Sequence, residues 1–180
     1  MGGDYGVEWG SLRTRDGVGM DPAPIGVMLS APDPGTANEA YWQIEGTAFY
    51  SRYLEEAALP VTRVLVDAVC KGECTYWGTV YATDALVEIT CSHTSAGRTD
   101  LPDRCRAVVR AYLPCLYRMA DDETTDDTVL SSLIIIVHNT EDDAPTRRAF
   151  LERLSRRDLD VLSADEVSRQ LAKEHQRQEK

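Results

Sequence analysis

The chain has 180 residues, 43% of them hydrophobic, and a formal net charge of -11. That length fits about one ordinary domain with enough apolar surface to bury a core. The charge argues against nucleic acid or an anionic membrane leaflet as partner, since both demand a basic face, and no apolar run approaches the roughly 20 residues that span a bilayer.

Residues 1–23 are rich in Gly, Asp and Pro and read as a flexible N-terminal arm, with Tyr5 and Trp9 as possible anchors. Its first residues lack the basic start and apolar middle of a signal peptide, and Gly6 stands where N-myristoylation of Gly2 wants Ser or Thr. Residues 24–180 then read as a single α/β domain. Ile25–Leu29 is a short apolar run leaving into Ser-Ala-Pro-Asp-Pro-Gly, the pattern of a buried strand and its loop. Asn38–Leu59 reads as a helix closed by Pro60, although Gly46 weakens it. Val61–Val69 is β-branched and ends at the turn signal Lys71-Gly72-Glu73, so a strand is expected, with two more at Thr75–Tyr81 and Leu86–Cys91. Leu101-Pro102-Asp103 opens a helix carrying Val108, Val109, Tyr112, Leu113 and Leu116 inward, which Pro114 should kink or end. After the acidic loop Asp121–Asp127, Val129–His138 has the nearly continuous apolar character of a strand covered on both faces. A helix from Pro145, a last strand at Leu159–Leu162 and a terminal helix capped by Ser163 or Asp165 complete the chain, with a frayed tail from His175. Strands alternating with helices predict a mostly parallel central sheet with helices on both faces.

Two motifs sit at expected strand ends. Asn139-Thr140-Glu141-Asp142 follows Leu133–Val137, and Ser163-Ala164-Asp165 follows Leu159–Leu162. Ras-like small GTPases end one buried strand in Asn-Lys-x-Asp and a later one in Ser-Ala-Lys, and here both lysines are gone. In the place of the phosphate loop, Ser30-Ala31-Pro32-Asp33-Pro34-Gly35-Thr36-Ala37 keeps only Gly35. Ser30 replaces the first glycine, Thr36 the lysine and Ala37 the magnesium-binding hydroxyl. Such a loop works by aiming backbone N–H groups at phosphate. Pro32 and Pro34 have none, and Asp33 adds a like charge. Asp67-Ala68-Val69-Cys70 is the nearest match to the second-switch Asp-x-x-Gly, with cysteine for glycine. The bland alternative for Asn139 and Asp142 is a turn and an N-cap for the helix near Pro145.

On these motifs the chain resembles the degenerate Ras-like pseudo-GTPases, the class that includes centromere protein M and the adaptin-binding trafficking factors. The resemblance implies a Ras-like topology, no enzyme activity, no cofactor, and a scaffold or interaction subunit held by protein partners in a larger assembly. The alternative function is a divergent nucleotide-binding switch using Asn139, Asp142, Ser163 and Ala164.

Rival constellations are weaker. Cys70, Cys74, Cys91 and His93 could be drawn as a zinc set, but paired knuckles are usually tighter. His138, at the end of the strongest apolar run, has no G-x-S-x-G nucleophile elbow to serve. The acidic loop lacks the Gly and closing Glu of an EF-hand. Arg147, Arg148, Arg153, Arg156 and Arg157 make the helix from Pro145 locally basic. The odd set of five cysteines reads as free thiols of a cytoplasmic or nuclear protein. Finally, Tyr41, Trp42, Phe49, Tyr50 and Tyr53 are more aromatics than one buried helical stripe can hold, which marks a candidate interface unless the N-terminal arm covers them.

Overall fold

Helices, not strands, take up the apolar runs. The computed structural model describes residues 6–95 and 99–178. Gly2, Tyr5 and the last two residues of the tail lie outside the described residues. The described elements are the α-helices α1 (Ala23–Leu29), α2 (Pro34–Ala48), α3 (Ala58–Lys71), α4 (Tyr76–Thr90), α5 (Leu101–Arg110), α6 (Leu113–Asp121), α7 (Asp127–Thr140), α8 (Ala144–Leu154) and α9 (Val161–Gln178), with two-residue strands β1 (Arg13–Thr14), β2 (Gly17–Val18), β3 (Phe49–Tyr50), β4 (Tyr53–Leu54) and β5 (Thr94–Ser95). The strands form only a β1–β2 hairpin and a small sheet in which β4 pairs antiparallel with β3 and parallel with β5.

Among the described residues the expected central parallel sheet is therefore absent, and with it the Ras-like topology and the pseudo-GTPase likeness built on it. Ile25–Leu29 lies in α1, Val61–Val69 in α3, both Thr75–Tyr81 and Leu86–Cys91 fall almost wholly within the single helix α4, and Val129–His138 is α7. Leu159 and Asp160 precede α9 without strand pairing. The physical reason is burial on several faces. A helix that is apolar nearly all round reads as a buried strand when periodicity is faint. In α7, Leu130, Leu133, Ile134, Ile136 and Val137 are all buried, and tertiary packing overrides the modest β preference of Ile and Val. Local chemistry also favours helix. The Thr75 side chain caps α4 by accepting the Gly78 N–H, Asp126 caps α7 through Thr128 N–H, and Gly72 ends α3 at φ 67° in the left-handed conformation that glycine permits.

Helix α2 stops at Ala48, short of the expected Leu59. Phe49–Leu54 turns back as a hairpin, with Ser51 at φ 45° and Arg52 at φ 63°. Positive φ at both central residues is what a two-residue I′ turn requires, usually from Asn or Gly. The expected helix from Leu101 ends at Arg110, and Pro114 enters the first turn of α6. The helix from Pro145 and the terminal helix are both present as α8 and α9, but α9 begins at Val161, so Ser163 and Asp165 lie inside it rather than capping it.

The chain divides into two compact units, 1–112 and 113–180. In the first, α1 packs on α2, α3 and α4, and α3 on α4 and α5. Residues 7–20, part of the expected arm, hold a 3-10 turn and the β1–β2 hairpin, with Trp9 and Met20 buried. In the second unit, α7 packs against α6, α8 and α9. Among the described residues no helix is long and apolar enough to cross a membrane.

Candidate functional site

The first unit holds a groove of about 990 Å³ between the end of α1 and the outer faces of α3 and α5. Its floor is Gly26 and Leu29 of α1, Val64 and Ala68 of α3, and Val108 and Ala111 at the end of α5. Ser30, Arg63, Asp67, Glu73 and Tyr112 complete the lining with polar groups. Val64, Asp67 and Ala68 share a face because they lie three and four residues apart on one helix. Asp67 is held between two donors: the Tyr112 hydroxyl donates to Oδ1 at 3.1 Å and Lys71 Nζ lies 2.7 Å from Oδ2. The Tyr112 hydroxyl is raised above its ordinary pKa by desolvation and then by that bond to Asp67. Lys71 is raised by its hydrogen bond to the same carboxylate. This arrangement fixes the rim and leaves an apolar floor, the usual form of a binding cleft.

No known family, curated protein or solved structure matches this chain. The reading of the groove therefore rests on its own chemistry. The sequence pattern puts Val108 and Tyr112 inward on a helix and Asp67 in a switch motif, and does not bring them together. The available signal was the Arg63–Asp67–Lys71 spacing, a polar i, i+4 stripe that belongs to a helix rather than a strand.

The residues expected at a degenerate nucleotide site are spread over helix ends. Ser30 caps α1, its hydroxyl donating to Gly26 O at 2.7 Å. Gly35, Thr36 and Ala37 form the first turn of α2 beneath Asp33, which accepts from Thr36 N–H at 2.9 Å. Asn139 lies within α7 and donates to Ile135 O, while Asp142 lies in the turn before α8. Ser163 and Ala164 open α9, with Ser163 N–H donating to Asp127 Oδ1 at 3.1 Å. Each of these placements is a helix cap, a helix turn or a connection, and the sheet edge that would have gathered them is missing. The cap of α8 is Asp143, next to the Asp142 that the turn reading proposed.

The aromatic set divides as well. Tyr41 and Phe49 are buried, Trp42 is 58% exposed, and Tyr50 and Tyr53 are half-buried. Arg15, from the N-terminal hairpin, lies over the Tyr50 ring at 4.5 Å, so that segment does cover part of the set. Beside Tyr41 sit three carboxylates. Glu45 is raised by desolvation and then by the charges of Glu88 and Asp84. Asp84 is exposed as a residue, yet its carboxyl is packed closely enough to be raised by desolvation, which a hydrogen bond from Tyr41 partly offsets. Tyr41 itself is pushed well up by burial and by these charges.

These shifts have an opposite sign to those at helix caps. Raised carboxyls at Glu45 and Asp84 contribute stability below their ordinary values of 4.5 and 3.8, and that contribution is lost as pH rises through the elevated folded values. Asp33, Asp122 and Asp143 are lowered by hydrogen bonds from Thr36, Thr124 and Thr146, so their contribution is present above 3.8 and lost below it. Stability should therefore rise on mild acidification from neutrality and fall again below about pH 4. Thermal midpoints measured across that range check this, and a midpoint that falls steadily from pH 7 downward contradicts it.

The rival constellations come apart. The 15-residue helix α4, about 22 Å long, lies between Cys74 and Cys91, and among the described residues no group of three or more potential ligands could hold a metal ion. His138 is buried on α7 with Nδ1 3.6 Å from Glu174 Oε1. The acidic loop is structural at several points: Asp121 pairs with Arg153 at 3.0 Å, Asp122 accepts from Thr124, and Asp126 caps α7. The basic face of α8 is partly consumed, since Arg147 is buried against Glu174 and Arg157 donates to Ala120 O.

None of the five cysteines is in a disulfide. Burial pushes the Cys105 and Cys74 thiols up to about 11, so at pH 8 roughly one part in a thousand of each is thiolate. Cys105 should resist iodoacetamide in the folded protein and react only on unfolding. Native labelling of Cys105 at the rate of a free cysteine, read by mass spectrometry, would contradict its burial.

Proposed function

We propose that this chain is a non-catalytic interaction protein, a subunit that receives apolar side chains of a protein partner in the α1–α3–α5 groove. The observation that carries this reading is the groove itself: a cleft of about 990 Å³ with an apolar floor and a polar rim. Apolar clefts with a few oriented polar groups are where proteins take segments of their partners. Its described lining carries two carboxylates, of which Asp67 is engaged by Tyr112 and Lys71 and Glu73 lies exposed at the rim, and no histidine or cysteine. Such a lining suits binding better than proton or acyl transfer. A reducing compartment, cytoplasmic or nuclear, fits cysteines that form no disulfide. The nucleotide-switch alternative depended on the Ras-like sheet and is not carried further.

Val64 and Val108 are only half-buried, so charging them leaves the core intact. Wild-type protein should bind the neutral dye Nile red saturably, and Val64→Glu and Val108→Glu should abolish that binding with unchanged circular dichroism. Proteins captured by wild-type chain should be lost with the same variants. Retention of both dye and partners by folded variants removes the groove as the binding site.

A further inference from the structure

Several carboxylates of the first unit are held by cations on the same helix. Asp67 has Lys71 and Tyr112, and Asp103 has Arg106 at 2.6 Å. On α2 and α4 the pattern differs. Glu45 is raised by burial and by the nearby charges of Glu88 and Asp84, which a backbone hydrogen bond from Ser51 only partly offsets, all three carboxylates bear on the Tyr41 hydroxyl, and among the described residues no Lys or Arg is paired with them. Glu45 Oε2 is a buried oxygen with no hydrogen-bond partner. The backbone sets this up. Tyr41, Trp42 and Glu45 lie within one turn of α2; Tyr81, Asp84 and Glu88 follow at helical spacing on α4, and α2 packs on α4.

The same place carries clustered rings. Tyr41 meets Trp42 edge-on at 5.8 Å and 86°, and Tyr81 at 5.8 Å and 58°. Trp42 remains 58% exposed. Rings and uncompensated carboxylates together favour one kind of ligand. A cation is drawn to a ring face by the ring's quadrupole and to the carboxylates by charge. A guanidinium does both best: it is planar and weakly hydrated, stacks on aromatic faces, and presents a fork to a carboxylate. A bare metal ion would make no use of the rings, and phosphate-rich ligands would be repelled.

We propose that the face formed by Trp42 and Glu45 of α2 with Tyr81, Asp84 and Glu88 of α4 is a docking site for an arginine-bearing basic segment of a partner protein. It lies on different helices from the apolar groove, whose walls are α1, α3 and α5, and it stands or falls independently of that groove.

The test uses the full chain at near-physiological salt and a short synthetic peptide alternating arginine and alanine, with a glutamate-for-arginine peptide as control. Wild-type protein should bind the arginine peptide, read by calorimetry, and not the glutamate peptide. Trp42→Ala, and separately Glu45→Gln with Glu88→Gln, should each weaken binding by about tenfold. A charge-matched control, Glu123→Gln with Asp158→Asn, removes two exposed carboxylates of the second unit and should change affinity by less than about twofold. Neither test variant threatens the fold, because Trp42 is exposed and neutralising Glu45 relieves repulsion; circular dichroism confirms it. Absence of wild-type binding overturns the proposal. So does equal binding by the face variants, or an equal loss in the charge-matched control, which would leave net charge alone as the cause. Sedimentation of the same samples covers the remaining occupant. Self-association that the Glu45/Glu88 variant abolishes would assign the face to a second copy of this chain and overturn a foreign basic segment.

Discussion

Replacing Gly78 with alanine should destabilise the first unit by at least about 3 kcal/mol, a large share of the roughly 5–15 kcal/mol that holds a domain folded. Gly78 is buried in the first turn of α4, where that helix meets the end of α1. A Cβ there would lie 2.2 Å from the Leu29 carbonyl oxygen, 2.7 Å from its carbon and 2.9 Å from its Cα. The obstacle is backbone, so no rotamer change relieves it. Moving α4 outward would break the contact that joins the helices: Thr75 N–H donates to Leu29 O at 3.0 Å, and the Thr75 hydroxyl donates to Ala31 O at 2.7 Å. These bonds satisfy carbonyls at the end of α1 that have no partner within it. Helix propensity alone predicts the opposite sign, since alanine is favoured over glycine by about 1 kcal/mol in a helix interior. Gly46 supplies the control. It also lies in a helix, α2, but a Cβ there meets nothing within 4 Å, so Gly46→Ala should stabilise by about 0.5–1 kcal/mol. Urea midpoints of the two variants should move in opposite directions. A Gly78→Ala midpoint at or above wild type would mean that α1 and α4 are not in this contact.

The Gly78 contact also shows why so much of the fold was hidden in the sequence. Gly78 looked like one position in an alternating strand, because its role depends on a carbonyl far away in the chain. Helix α7 posed the same difficulty. Leu133–Val137 is a continuous β-branched and leucine run, and the evidence for helix lay in the weaker stripe Thr128, Ser131, Ser132, Ile135 and Asn139, which recurs every three or four residues on the less buried side. In α4 the stripe Trp77, Tyr81, Asp84 and Glu88 carried the same message, but a strand break at the Ala82–Ala85 stretch also fitted the composition. Elements with strong punctuation were legible. Pro145 and the basic, amphipathic sequence after it marked α8, and the terminal helix followed. Lys71-Gly72-Glu73 was rightly a turn, although it ends a helix. The Ser51-Arg52 hairpin was not legible, since neither residue is a usual choice for left-handed backbone. Of the groove, Asp67 and Tyr112 had each been singled out, but only tertiary packing brings α3 and α5 together around them. The exposed Trp42 was legible as a candidate interface residue, whereas Phe49 and Tyr41 serve the core.

Breaking the buried ion pair of the second unit should cost about 3–5 kcal/mol from either side. Arg147, at the start of α8, meets Glu174, near the end of α9, in a two-pronged contact: Nε donates to Oε1 at 2.8 Å and Nη2 to Oε2 at 3.0 Å. The remaining guanidinium nitrogen Nη1 donates to the Glu141 carbonyl after α7, and His138 of α7 stands on the other side of Glu174. Arg147 is 7% exposed and Glu174 3%, so each charge relies on the other rather than on water. Glu174→Leu strands a buried guanidinium, and Arg147→Met strands a buried carboxylate. Either change should loosen α7, α8 and α9 together, seen as faster amide hydrogen exchange in all three helices and a lower urea midpoint. The double variant Arg147→Met/Glu174→Leu separates attraction from desolvation. Ion pairs taken out of water gain little net stability over apolar residues of similar volume, so the double variant should recover most of what either single change loses. The positive coupling in that cycle is the quantity to measure. Single variants within about 1 kcal/mol of wild type would show that these groups remain solvated. A double variant as unstable as the sum of the singles would show that the two side chains act through separate contacts, with Glu141 and His138 rather than with each other.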